Sequence, residues 1–207
     1  MKIERITLEN FRCFPAGGVT FNIDEHITAL VGNNGSGKTA ILAALGKIFG
    51  TSAPQRILRK ADFHVPVDDP QIESGATLQI DCVLGFPELD DGEDDDAVPE
   101  VFRHMSIGGE DDPLKIRMQL RATWTDNGTP DGVVDDELRW VATLDDDFKW
   151  EECRRVSAIE RSFVQLVYVP ASRNAADQVT SLLKGRLWRG AQWSDDFRDE
   201  VAQGATN

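Results

Sequence analysis

The sequence predicts an α/β fold in which a strand, a glycine-rich loop and a helix are joined to an antiparallel β layer. Three observations carry that expectation. Residues 26–50 pass from a short apolar run, through glycines, to apolar residues at helical spacing. Three later segments alternate apolar and polar residues, as strands with one wet face do. Hydrophobic residues make up 41% of 207 positions, too many for a disordered chain and enough for a sizeable core. At roughly 150 residues per domain, this length corresponds to one domain, or one with an appendage.

Ile3, Ile6, Leu8 and Phe11 suggest a first strand. A turn at Pro15–Gly18 leads to a second, Val19–Ile23, and the two can pair as a hairpin. His26–Val31 reads as a buried strand ending at Gly32. After Gly37, a helix is expected from Ile41, Ala44, Leu45, Ile48 and Phe49, with Leu42 widening the stripe and Gly50 as its stop. Residues 51–75 look irregular, with Pro54, Pro66 and Pro70. The alternating strands follow: Leu78 to Phe86, Leu114 to Trp124, and Leu138 to Leu144, the last two separated by a turn at Asp126–Gly132. Glu88–Asp112 is expected to be a solvated acidic loop, because its carboxylates run in a block without calcium-loop spacing. Phe163–Val169, ending at Pro170, reads as a strand buried on both faces. Helical spacing follows in Ala175, Val179, Leu182 and Leu183, and Ser194 is a plausible N-cap for a last short helix.

Charge narrows the function. With 22 basic and 36 acidic residues the formal net charge is −14, which argues against non-specific binding to nucleic acid. A local basic face remains open: Lys115, Arg117 and Arg121 lie on one strand face with Gln119, expected as the solvated side of that strand. Cys13, Cys82 and Cys153 are scattered, without a C-x-x-C pair, which fits a reducing cytoplasm. His26, His64 and His104 show no metal-ligand spacing. No apolar run reaches 18 residues and the N-terminus lacks an apolar leader, so a cytoplasmic protein without a membrane span is expected.

The chemistry lies in Gly32-Asn33-Asn34-Gly35-Ser36-Gly37-Lys38-Thr39, a match to the P-loop G-x-x-x-x-G-K-[ST]. The glycines let successive backbone N–H groups point inward at phosphate oxygens. The helix that follows presents unpaired N–H groups and a partial positive charge. Lys38 is expected on the β- and γ-phosphates of ATP, and the Thr39 hydroxyl on Mg²⁺. Hydrolysis needs more: a residue that orients water and usually an aspartate for the metal. Asp145–Asp147 is the nearest approach to such an aspartate, but its context is that of a strand-ending turn. Ser106-Ile107-Gly108-Gly109-Glu110 imitates an ABC-type signature but does not open a helix. No N-K-x-D of a GTPase is present, and Arg154, Arg155 and Arg161 are too few for a kinase lid.

The opening Ile3–Phe14, with its Asn10-Phe11-Arg12 step, followed some 20 residues later by the P-loop, resembles the RecF, SMC and OLD (overcoming lysogenization defect) ATPases. Within that group the OLD family looks most similar. Asp62-Phe63-His64 after the P-loop helix, the strand at 78–86, and Tyr168-Val169-Pro170-Ala171-Ser172-Arg173-Asn174 extend the resemblance. It implies an ABC/RecF-like P-loop ATPase head, of which residues 1–170 form the N-terminal lobe and 171–207 the start of a helical insertion. It implies that Arg12 approaches the nucleotide phosphates, and that Asp62 stands where relatives sense the metal and γ-phosphate. In relatives the Walker B, the signature and a Toprim nuclease lie further along, and none is found here. The chain therefore reads as the ATP-binding lobe of an ATP-dependent DNA endonuclease of the phage-defence or repair type, acting on DNA through the complete enzyme and associating with itself or a partner chain through the head. The alternative is a nucleotide-binding regulatory or interaction protein completed by a partner chain, with Leu187, Trp188, Trp193 and Phe197 as a candidate apolar patch.

Overall fold

A computed structural model describes residues 1–24, 26–68, 71–87, 102, 104–105, 107, 114–164 and 166. Six strands form one sheet: β1 (Lys2–Glu9), β2 (Val19–Asn22), β3 (Ala76–Gly85), β4 (Lys115–Thr125), β5 (Val133–Val141) and β6 (Arg154–Arg155). Their order is β2-β1-β3-β4-β5-β6, and every neighbouring pair is antiparallel. Among the described residues they are accompanied by the helices α1 (Lys38–Phe49), the single turn α2 (Ala53–Arg56) and α3 (Ala158–Ser162).

The hairpin and the antiparallel layer form as expected, and the register explains the core. Ile6 pairs with Cys82, Cys82 with Met118, and Met118 with Trp140; Leu8, Ile80, Leu120 and Leu138 make the adjoining row. Because side chains alternate across a strand, both rows share one face. With Ala40, Ile41, Ala44, Leu45, Ile48 and Phe49 of α1 they form one buried apolar cluster. The turn after β4 is closed by Trp124, whose indole N–H donates to Asp131 O at 2.8 Å.

Several expectations are corrected. His26–Val31 is not a strand: it joins no ladder among the described residues, and Ile27 and Val31 are 83% and 92% exposed. An apolar run becomes a buried strand only beside a neighbour that pairs its backbone and covers its side chains. Only Leu30 leans on the core. Leu42 lies on the exposed side of α1. Gly50 does end that helix, but with φ −57° and ψ 136° rather than in the left-handed conformation. Phe163 follows α3 as a half-exposed turn residue, and Leu166 makes a parallel bridge to Gly50; residues 165 and 167–169 of that run lie outside the described residues.

Within the acidic stretch, Phe102 itself is not solvated: it is buried against Phe86, Trp140 and Phe163. Ile107 makes an antiparallel bridge to Lys115, not a helix start. The Tyr168–Asn174 stretch, the two helices expected after it and the aromatic patch at 187–197 lie outside the described residues.

Candidate nucleotide-binding site

The P-loop takes the conformation its glycines allow. Gly37 sits at φ 92° as the N-cap of α1, a left-handed position that glycine adopts without strain. A Cβ there would come within 2.7 Å of the Phe14 ring and 3.0 Å of Cys13 Sγ. Glycine is thus required twice over, by its dihedral and by the loop pressed against it. Lys38 Nζ donates to Gly32 O at 2.8 Å and Asn33 O at 2.7 Å, which curls the loop back on its own helix. Residues 32–36 and Thr39 are exposed.

The N-terminus of α1 has no side-chain cap and no acidic residue in its first turn. Its leading N–H groups have no partner within the helix, and the dipole adds positive charge there. This donor set fits a phosphate chain. Gly32–Thr39 would hold it, with Lys38 as the added cation and the Thr39 hydroxyl as the oxygen ligand offered to Mg²⁺. Bound Mg²⁺ would supply charge neutralisation on the phosphates.

The contact at Gly37 comes from residues 10–14, which bring Arg12 to the same region. Asn10 and Arg12 both have positive φ, 50° and 52°, unusual for residues with a side chain. Several bonds hold them there. Arg12 N–H donates to Asp62 O at 2.8 Å, and His64 N–H to Asn10 O at 2.8 Å. His64 Nδ1 lies 2.7 Å from Arg12 O; a carbonyl only accepts, so that nitrogen carries the proton.

Asp62 is only 3% exposed. Its Oδ1 accepts from Arg12 Nε and Nη2 at 3.0 and 2.8 Å. Its Oδ2 accepts from Lys47 Nζ at 2.8 Å and from Arg59 N–H at 3.0 Å. Burial pushes its pKa up, but the hydrogen bonds from Lys47 and Arg12 outweigh that and hold the carboxyl below its usual range. The metal role expected of Asp62 does not fit this arrangement, because both oxygens are already engaged by cations and a backbone N–H. Asp62 positions Arg12 instead.

The structure thus seats the Arg12 loop on the P-loop through Cys13 and Phe14 at Gly37, and joins Arg12 to Asp62, which lies against Lys47 further along α1. It does not bring Asp145–Asp147 to them. The Asp145 carbonyl and the Asp146 carboxylate accept from Arg117, on β4. The expected solvated stripe is corrected too: Arg117 and Gln119 are 3% and 1% exposed, bonded to buried Asp81.

Lys47 was missed by the sequence reading. It lies on the buried side of α1, between Ala44 and Ile48 in the apolar stripe, and a lysine there was the available signal. His64, which shows no metal-ligand spacing and figures in the sequence only within Asp62-Phe63-His64, bonds to the backbone of Asn10 and Arg12. Among the described residues no cluster of His, Cys, Asp and Glu could hold a metal, and no helix is long and apolar enough to cross a membrane.

A P-loop at the head of a helix, with an antiparallel sheet beside it, defines a P-loop nucleotide-binding fold. The chain matches the AAA ATPase domain family over residues 1–178 and belongs to it. It is similar to the DNA replication and repair protein RecF of Mannheimia succiniciproducens, 44% identical over 69 residues. That match spans 31% of this chain and only 19% of the RecF chain. Among solved structures it resembles a chain from work on ATP-driven dimerisation and DNA-stimulated activation of SMC ATPases, at 20% identity, 98% coverage of both chains and a TM-score of 0.45. It also resembles the Smc head domain of Pyrococcus yayanosii, at 21% identity, covering 78% of this chain and 24% of that one, with a TM-score of 0.47.

Proposed function

We propose that this chain is the ATP-binding lobe of an OLD-like ATP-dependent DNA endonuclease, with residues 1–170 as the lobe and 171–207 as the start of a helical insertion. The observation that carries the nucleotide site is the uncapped, acid-free N-terminus of α1 behind a left-handed Gly37, with the Arg12 loop packed on it. Lys38 and Arg12 contribute positive charge, the loop amides orient the phosphates, and Thr39 offers its hydroxyl to Mg²⁺. The OLD assignment, with its cytoplasmic setting, phage-defence or repair role and action on DNA through the complete enzyme, is supported by the resemblance of the Asn10-Phe11-Arg12 opening and the P-loop taken together. Self-association or a partner chain at the ATPase head belongs to the same reading.

Titration with a fluorescent ATP analogue and Mg²⁺, beside Lys38→Ala, tests the site. Binding that Lys38→Ala abolishes, with negligible phosphate release, is expected. Steady Lys38-dependent release would show that hydrolytic residues lie within this chain. No binding by folded protein would sink the stand-alone site.

The second reading, a nucleotide-binding interaction protein completed by a partner chain, draws support from the exposed apolar side chains of Ile27 and Val31 beside the P-loop. A Toprim-type acidic segment encoded together with this lobe would favour the endonuclease; its absence from the complete system would favour the interaction protein.

A further inference from the structure

The face of the sheet opposite the core is polar and partly roofed. Cross-strand pairing puts Thr7, Asp81, Gln119 and Arg139 in one row, and Glu9, Gln79, Arg121 and Glu137 in the next. Residues 143–150 fold back over this face. Arg117 donates to Thr143 O, Asp145 O and the Asp146 carboxylate, and Phe148 lies 5.2 Å and 5.6 Å from the guanidinium carbons of Arg117 and Arg121. Beside the roof lies a groove of about 390 Å³, lined among others by Arg5, Thr7, Glu9, Gln79, Arg121 and Phe148. Small-molecule sites begin at roughly that size.

The floor of this groove is a finished network with two unfinished cations. Arg117 is answered by Asp81 and Asp146. Gln119 donates to Asp81 and accepts from Arg121 Nε at 2.7 Å. The Arg121 guanidinium also lies against the rings of Phe148 and Trp150, and among the described residues its one hydrogen bond is that to Gln119. Arg5 is less satisfied still: its Nε is buried and has no hydrogen-bond partner among the described residues. Buried polar atoms nearly always have a partner, so an orphan on a residue that lines a groove raises the question of what the rest of its guanidinium meets there. An oxyanion offers what a guanidinium fork lacks, paired acceptor oxygens in one plane. Glu9, which among the described residues accepts one long bond of 3.4 Å from Gly17 N–H, leaves acceptor capacity for a hydroxyl or ammonium group.

We propose that this groove binds a small polar molecule through a phosphate or carboxylate group held by Arg5 and Arg121, with a donor group of the same molecule on Glu9. The site shares no residue with the P-loop. Its test is calorimetric titration of the full chain carrying Lys38→Ala, with inorganic phosphate in one arm and citrate in the other. The expected result is one saturable site, weakened at least tenfold when Arg5→Gln or Arg121→Gln is added. Saturation by phosphate alone assigns a phosphate ligand, and by citrate alone a carboxylate one. No saturable binding of either probe in the Lys38→Ala protein would overturn the site while leaving the P-loop reading intact. Unchanged affinity after Arg5→Gln would overturn it as well. Arg5→Gln is expected to melt close to its parent, since the Nε it removes has no hydrogen-bond partner among the described residues. Should it fail to fold, Arg5→Lys carries the same test, because it keeps the charge but loses the fork, and undiminished binding again refutes the proposal.

Discussion

The two ends of α1 are treated in opposite ways. At the C-terminal end the last carbonyls are all engaged. Gly46 O accepts from Gly50 N–H at 2.9 Å, and Ile48 O from Arg161 Nε at 2.9 Å. Lys47 O accepts from the same guanidinium, Phe49 O from Leu166 N–H at 2.9 Å, and Gly50 O from Arg56 Nη1 at 2.7 Å. Cations thus sit where the helix dipole is negative. At the N-terminal end there is no capping side chain and no carboxylate, although the dipole favours one. A helix secured at one end holds its fold without help from the other. The open end is then available to a ligand, and its unmet N–H groups are the affinity it offers.

The comparison breaks most severely at the ion cluster that ties the middle of α1 to the Arg12 loop. Asp62→Ala leaves Lys47 and Arg12 facing each other without their anion. Removing one partner of a buried pair costs about 3–5 kcal/mol. Urea denaturation should show a loss of that order. Asp62→Asn should fall between, since it keeps an acceptor but not the charge. A loss below about 1 kcal/mol, the range of exposed pairs, would mean that the cluster is solvated and does not hold Arg12.

The secured end is the next to break. Arg161→Ala removes a cation that donates to two carbonyls of α1, and charge-assisted bonds of this kind contribute about 1.5–3 kcal/mol each when buried. The thermal midpoint should fall accordingly, while any nucleotide affinity of the surviving folded protein stays within about twofold. A selective loss of affinity would refute the separation of the two ends.

Arg161 is carried by α3, whose Ser157 N-cap accepts from Glu160 N–H while the Glu160 carboxylate accepts from Ser157 N–H and Arg154. Burial raises the pKa of Glu160, but those bonds win and hold it at about 2 against an ordinary 4.5. A depressed pKa contributes stability that is full above the unfolded value and is lost as pH falls through the folded one. The melting temperature should therefore drop between about pH 4.5 and pH 2. Glu160→Gln, costing about 1–2 kcal/mol at pH 7, should flatten that part of the curve. An equally steep curve in the variant would assign the acid sensitivity elsewhere, with Asp62 as the next residue to replace.

Legibility in the sequence followed the range of the interaction. β3, β4 and β5 were visible because alternation is a local pattern, and the P-loop because Gly37 serves both a dihedral and a contact. The hairpin was visible from its glycine turn. What failed depended on partners distant in sequence. Lys47 went unread because the partner that explains it, Asp62, lies 15 residues further on. Arg117 and Gln119 were placed on the correct face of β4, but nothing local announces that residues 143–150 would cover that face. His26–Val31 has the composition of a buried strand, and composition does not supply the neighbour. The ion pair of Asp62 was out of sight for the same reason, because Arg12 lies 50 residues away.

The smallest expected effect is also the sharpest test of the open end. Thr39 is exposed, and in the second position of α1. Thr39→Asp places a carboxylate where the dipole favours one, and Thr39→Asn has the same shape without the charge. In the absence of nucleotide, Thr39→Asp should be more stable than Thr39→Asn by about 0.5 kcal/mol, an advantage that shrinks as salt screens it. With nucleotide the order should reverse, because the carboxylate then competes with the phosphates for the same N–H groups and the same positive field. A single substitution that strengthens the empty protein and weakens the liganded one would show that the missing cap on α1 is the binding device itself. If Thr39→Asp instead stabilises both states equally, the phosphates do not lie at this helix end, and the contrast between the two ends of α1 has no functional meaning.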